Sequence, residues 1–354
     1  MTNSISIKRL ILISALLLFL SSNISAAGDW DRILNLRGQW KFSIGDDKKW
    51  ADIGYDDSNW ETVRVPSFWE EEGFYGYNGY AWYRKEFVLA EILKDESVYI
   101  SLGYIDDVDE VYLNGKFIGS SGKFPPDFKT AYNADRKYPV PAKYFNKNKK
   151  NVLAVRVFDA TLGGGINSGD IGIYVKSYEF LVDKNLEGEW KFSTGDREEF
   201  KEKDFDDSKW NKIFVPGYWE TQGYDEYNGV AWYRKTFTIS SSFNDDQLVL
   251  LLGKIDDIDE AYLNGNLIGQ TGSFSSDPEN SNFNNEWQEL RGYLFPSNLL
   301  NKNGVNVIAV RVYDSYINGG IYEGPIGIAT QNNYRNAWKR ISKKRSFWDV
   351  IFGK

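Results

Sequence analysis

The chain has 354 residues, with 42 Lys and Arg against 50 Asp and Glu for a net charge of −8, and it contains neither histidine nor cysteine. Those absences exclude Ser-His-Asp catalysis, His- or Cys-liganded zinc, thiol nucleophiles and disulfides. The acidic balance argues against nucleic acid as a partner.

Lys8 and Arg9, the apolar run Leu10 to Leu20 and the small residues Ser25, Ala26 and Ala27 read as a signal peptide over residues 1–27. The apolar run is too short to span a bilayer, and a retained N-terminal anchor is the alternative. Loss of Lys8 and Arg9 would take the net charge from −8 to −10. The expected location is therefore outside the cytoplasm, periplasmic or extracellular. With no cysteine, a lipid anchor on an acylated Cys is excluded.

The next segment, residues 28–182, alternates apolar and polar positions or carries short apolar runs at Trp40 to Phe42, Ala81 to Leu89, Val98 to Leu102, Glu110 to Ile118 and Val152 to Phe158. These predict strands. Asn114-Gly115 lies within β-rich sequence, where Asn-Gly adopts the positive φ of a type I′ hairpin. Residues 183–330 repeat the unit: Gly38, Trp40, Trp60, Pro66, Trp69, Trp82 and Arg84 recur 150 residues later as Gly188, Trp190, Trp210, Pro216, Trp219, Trp232 and Arg234. The offset becomes 155 from Arg136 and Arg291 onward, which places an insertion between Gly272 and Arg291. A period this long is a domain duplication. About eight short strands per copy between Gly, Asn, Asp and Pro turns predict an all-β chain of two tandem jelly-roll, galactose-binding-like β-sandwiches. The tail, residues 331–354, carries seven basic residues against Asp349. With Trp338, Ile341, Trp348 and Phe352 near helical spacing, it reads as a basic amphipathic helix. It would meet an anionic membrane surface or an acidic partner, or else dock on its own chain.

The run Asp56-Asp57-Ser58 with Trp60, Pro66 with Trp69-Glu70, Trp82-Tyr83-Arg84, Ile105-Asp106-Asp107 with Asp109-Glu110, and Asn151 to Val157 resembles the sugar-binding jelly roll of glycoside hydrolase family 2. Asp159 to Ile166 and Asp314 to Ile321 are also similar to the jelly roll of sialate O-acetylesterases. In those families the jelly roll is an accessory beside a catalytic barrel or hydrolase domain. The resemblance implies a sugar-binding module, and about 26 residues after Ile328 are too few for a (β/α)₈ barrel.

Trp69, Glu70 and Trp82, with Trp219, Glu220 and Trp232, form the expected sugar site, an aromatic platform beside a carboxylate; burial in the core is the rival reading. Arg84 and Arg234 are expected to pair with the acidic cluster or to contact ligand, and Asp107 and Asp257 to contact ligand. In the clusters Asp106-Asp107-x-Asp109-Glu110 and Asp256-Asp257-x-Asp259-Glu260, strand alternation would let at most half of the carboxylates converge. Structural salt bridges are the main reading there. Calcium stays open as a ligand, although no EF-hand spacing is present, and no other cofactor is expected. Asp56 and Asp206 suit turns. Gly163-Gly164-Gly165 lacks the Lys-Ser/Thr of a phosphate loop.

The reading that follows is an exported, non-catalytic carbohydrate-binding or accessory protein, with a separate catalytic chain among its possible partners. A glycoside hydrolase or carbohydrate esterase relative, relying on paired carboxylates and acting on O-glycosyl or O-acetyl sugars alone or with a catalytic partner, is one alternative. A purely structural protein-interaction module is the other.

Overall fold

The computed structural model describes residues 30–90, 97–176, 180–239, 246–274 and 285–352. The leader expected over residues 1–27 lies outside them. Ten strands build the first half: β1 (Trp30–Asn35), β2 (Gly38–Ile44), β3 (Glu61–Val65), β4 (Gly79–Val88), β5 (Ser97–Asp106), β6 (Val108–Leu113), β7 (Lys116–Ser121), β8 (Arg136–Val140), β9 (Lys150–Asp159) and β10 (Gly165–Lys176). They form two antiparallel sheets, β1-β10-β5-β8 and β3-β2-β4-β9-β6-β7. The second half repeats the plan with β11 (Lys184–Asn185), β12 (Gly188–Thr194), β13 (Asn211–Val215), β14 (Gly229–Thr238), β15 (Gln247–Asp256), β16 (Ile258–Leu263), β17 (Asn266–Thr271), β18 (Arg291–Pro296), β19 (Val305–Asp314) and β20 (Gly320–Thr330). Its sheets are β11-β20-β15-β18 and β13-β12-β14-β19-β16-β17.

Ten strands per copy exceed the expected eight. One reason is that Glu110 to Ile118 is two strands: Asn114 and Gly115 have φ of 54° and 78°, and β6 folds back on β7. The other is the edge strand β1 or β11: Trp30–Asn35 has apolar residues but no period-two alternation, and Lys184–Asn185 has none.

Alternation sorts β4 between two environments. Tyr83 points into the sandwich, where it packs with Trp40, Phe42, Trp69 and Val155. Trp82 and Arg84 lie on the opposite face, beneath the segment that carries Trp50 and Trp60. The second core repeats this with Trp190, Phe192, Trp219 and Tyr233. Trp40 and Trp190 are buried, whereas Trp60 and Trp210 are only half-buried against the outer clusters.

The sandwiches meet through Lys123 and Lys129 on Glu226 at 2.6 and 3.0 Å, Lys143 on Glu189 at 3.1 Å, Lys176 on Glu323 at 3.2 Å, and an edge-on Tyr144–Phe214 contact. A cavity of about 390 Å³ opens at this junction, lined by Tyr99, Pro139, Glu187, Phe214 and Lys235 among others.

The tail forms α1 (Gln331–Phe352). Its first turns dock on the second sandwich: Ala337 is fully buried with Phe180, Val249, Leu251 and Ala329, and Tyr334 and Ile341 pack against them. Trp338 meets Phe180 edge-on at 5.5 Å. Self-docking thus accounts for the apolar stripe as far as Ile341. Among the described residues, no helix is long and apolar enough to cross a membrane.

Candidate functional site

Most of the aromatic and basic residues expected to touch sugar are buried. Trp69 and Trp219 have no exposed surface, because each indole is inserted in its core and its Nε1 donates to the Tyr77 or Tyr227 carbonyl at 3.1 Å. A Cβ on Gly164 or Gly319 would overlap that indole, so these two positions need glycine for close approach. Trp82 and Trp232 are covered too, with Nε1 donating to Asp46 at 3.1 Å and Asp196 at 3.0 Å. Trp232 borders a cavity of about 300 Å³ with Asp196, Glu260 and Arg311, but those groups satisfy one another: Arg311 Nε donates to Asp196 at 2.9 Å and Nη1 to Glu260 at 3.2 Å. The expectation that these four tryptophans offer a stacking face is therefore corrected, since strand alternation and loop cover enclose each ring.

Arg84 and Arg234 are likewise buried, and their partners are not the acidic cluster. Arg84 Nε donates to Asp57 at 2.7 Å and Nη1 reaches the Trp50 and Asp52 carbonyls; Arg234 Nε donates to Asp207 at 2.8 Å. Every guanidinium nitrogen is occupied, so the ligand role expected for these two arginines is also corrected. Asp57 and Asp207 gain a role that turn chemistry did not indicate. Asp56 and Asp206 do close turns, accepting from Ser58 N and Ser208 N at 3.0 Å.

The acidic cluster divides. Asp109 is fully buried and accepts from Arg136 Nε at 2.8 Å and from Tyr138 Oη at 2.6 Å; Asp259 does the same with Arg291 and Tyr293 at 2.8 and 2.7 Å. Burial outweighs the arginine and pushes the Asp109 carboxyl upward. Glu110 accepts from Arg156 at 3.3 Å and from Lys48.

Asp106 and Asp107 behave differently. They fall at the junction where β5 of one sheet gives way to β6 of the other, joined by a cis peptide, rather than inside a regular strand. Because the chain passes there from one sheet to the other, alternation along a single strand does not apply, and both carboxylates converge with Asp159 at the end of β9, within 4.8 Å of one another. Asp256, Asp257 and Asp314 repeat the trio. Asp107 accepts from Ala160 N at 3.0 Å and from Thr130; Asp257 accepts from Ser315 Oγ at 2.8 Å. Glu70 and Glu220 stand beside these trios, accepting from Gly164 N at 3.1 Å and Gly319 N at 3.0 Å. Burial first, then neighbouring carboxylates, pushes Asp106 up to about 6 and Asp256 up to about 8; Asp159 and Asp314 rise to about 7. Burial likewise raises Glu220 to about 8. Asp159 and Asp314 have no exposed surface. No sugar ring fits between carboxylates this close and this buried, so the trios do not form the cleft that glycoside hydrolysis needs.

A partly exposed aromatic group lies at the same end of the second sandwich. Tyr218, one residue before Trp219, stacks on Tyr322 of β20 with ring centroids 4.9 Å apart and planes at 5°. Tyr322 Oη donates to the Trp287 carbonyl at 2.7 Å, and the Trp287 side chain is 42% exposed. Burial, then the Asp256 and Glu323 carboxylates, lifts the Tyr218 phenol above its ordinary range. Tyr316, on the segment after Asp314, is 75% exposed. The repeated motifs did not point to this group: Tyr218 aligns with Phe68 and Trp287 with Tyr132, aromatic in both copies, whereas Tyr322 aligns with Asn167, and its stacking on Tyr218 joins segments distant in the sequence.

Comparison with known proteins agrees with the duplication. The family described as beta-galactosidase second all-beta domain matches residues 45–162 and again 195–316. A β-glucuronidase from Formosa agariphila is 28% identical over 100 residues, 25% of this chain and 10% of that protein. A β-galactosidase from Thermoanaerobacter pseudethanolicus is 31% identical over 103 residues, 27% of this chain and 14% of the relative. The matched stretches thus span only 10–14% of the length of these curated relatives. Among solved structures, a Bacteroides uniformis β-glucuronidase aligns over 81% of this chain and 28% of its own with 16% identity and a TM-score of 0.35. A β-glucuronidase from glycoside hydrolase family 2 aligns over 83% and 28% with 14% identity and a TM-score of 0.37. The resemblance to family 2 all-β domains holds, and with both copies matched over most of their length the chain belongs to the beta-galactosidase second all-beta domain family.

Proposed function

We propose that the protein is an exported, carbohydrate-binding accessory module, and that its saccharide contact is the end of the second sandwich. The observation that carries this reading is the stacked Tyr218–Tyr322 pair with the exposed Trp287 beside it and Asp256 and Glu323 near the phenols. Aromatic faces meet the C–H surface of a pyranose, and carboxylates accept from its hydroxyls, which combines an apolar body with polar specificity. The curated relatives are β-glucuronidases and β-galactosidases, so β-linked glucuronides and galactosides are the saccharides to test first. The trios' burial and the absence of histidine and cysteine favour binding over catalysis. Hydrolysis would then belong to a catalytic partner, a separate chain or a further domain.

A glycan array carrying β-galactosides and β-glucuronides, probed with residues 28–354, tests the reading. Selective retention on one saccharide class that is lost in Trp287→Ala supports it. No retention on any saccharide contradicts it.

A further inference from the structure

Three carboxylates at one corner of each sandwich lack the cations that their neighbours possess. The Arg136 guanidinium acts on Asp106 electrostatically. Its Nε is held by Asp109, its Nη1 by the Ala131 and Ala134 carbonyls at 2.5 and 2.6 Å, and its Nη2 by the Asp107 carbonyl at 3.1 Å. None of its donors reaches the carboxylate oxygens of Asp106, Asp107 or Asp159 in the hydrogen bonds it makes. Asp159 is wholly buried, and its Oδ2 has no hydrogen-bond partner among the described residues; Asp314 Oδ2 in the second copy is the same. Glu70 adds a further buried oxygen without a partner, Oε1, and a fourth negative charge to the first corner. A buried, unpaired carboxylate oxygen costs free energy that a protein recovers only by protonation or by a bound cation.

We infer that each sandwich binds a divalent cation, calcium by its ligand chemistry, at the corner formed by Asp106, Asp107 and Asp159 in the first copy and by Asp256, Asp257 and Asp314 in the second. The donors are all hard oxygens, and the chain has no imidazole or thiolate to favour a softer metal. Carboxylate oxygens within 4.8 Å of one another match the separation of ligands around a calcium ion, which sit about 2.3–2.6 Å from the metal; magnesium demands a tighter octahedron. Asp106 ends a strand of the four-stranded sheet and Asp159 ends a strand of the six-stranded one, so the ion ties the two sheets of one sandwich together. This site is not the Asp106-Asp107-x-Asp109-Glu110 run of the sequence, since Asp109 and Glu110 serve Arg136 and Arg156 instead.

Terbium titration of the full chain tests the inference, because Trp69 and Trp219 stand close to Asp159 and Asp314 around Gly164 and Gly319 and can sensitise bound Tb³⁺. The expected result is saturable emission with two ions per chain, displaced by CaCl₂. Asp159→Asn and Asp314→Asn should each lower the count to one, and the double variant should abolish it. Because buried substitutions can impair folding, Asp106→Asn at a half-exposed position is the companion to Asp159→Asn and should also remove one ion. In parallel, CaCl₂ should raise the melting temperature of the EDTA-treated protein at pH 7.5. Emission that does not saturate, a count unchanged in the folded variants, or melting indifferent to CaCl₂ would overturn it.

Discussion

Arg136 and Asp109 meet at 2.8 Å with both side chains fully buried, and Arg291 and Asp259 repeat the contact at 2.8 Å in the second sandwich. The guanidinium bridges β8 of the four-stranded sheet to β6 of the six-stranded one. Removing one partner leaves the other charge buried and alone, which costs about 3–5 kcal/mol. Asp109→Asn should therefore destabilise the first sandwich by that amount in urea denaturation and leave the second largely unchanged. A loss below about 1 kcal/mol, the size expected of an exposed pair, would show that the contact is not buried as described.

The helical tail is the second place where stability is expected to respond. Deleting residues 331–354 uncovers Phe180, Val249, Leu251 and Ala329, so the second sandwich should melt several degrees lower. Trp338→Ala should reproduce part of the loss, about 1–2 kcal/mol for a ring that stays 37% exposed. An unchanged melting temperature after truncation would mean that α1 is not anchored to the fold and would favour a membrane or acidic-partner role for the whole tail.

A third expectation concerns pH. Glu187, on the cavity between the sandwiches, is pushed by burial up to about 8, with the Lys176 ammonium only partly opposing this. The folded state therefore holds this proton more tightly than the unfolded chain does. The associated stability is full below about pH 4.5 and is lost as pH rises towards 8. Glu187→Gln removes the ionisation, so its gain should be absent near pH 4 and reach on the order of 1–2 kcal/mol near pH 9. Urea denaturation at the two pH values measures it, and an equal effect at both would show that Glu187 titrates normally.

Much of the architecture was legible because its signals are local. Asn114-Gly115 declares its hairpin, and the repeated Gly-x-Trp and Trp-Tyr-Arg positions declare two copies of one sandwich. The site was legible only in part, since its geometry depends on distant residues. Trp69 follows Pro66 in loop-like sequence, yet Gly164, almost a hundred residues on, leaves the space that its indole fills. Arg84 was matched with the wrong acids because Asp57 looks like an ordinary turn residue. Asp159 joins Asp106 and Asp107 only through the pairing of β5 with β10 and of β6 with β9. Tyr218, Tyr322 and Trp287 were overlooked because their grouping depends on segments far apart in the sequence, and only Tyr322 lacks an aromatic counterpart in the first copy.

The most direct test of saccharide binding at Tyr218, Tyr322 and Trp287 is isothermal titration of the best array glycan into wild type, Tyr218→Ala, Trp287→Ala and the first-sandwich control Phe68→Ala. Losing an aromatic contact at a binding hot spot costs about 1–3 kcal/mol, a factor of roughly ten or more in Kd. Tyr218→Ala and Trp287→Ala should show that weakening while Phe68→Ala binds as wild type does. Wild-type affinity in folded Tyr218→Ala and Trp287→Ala would contradict the account.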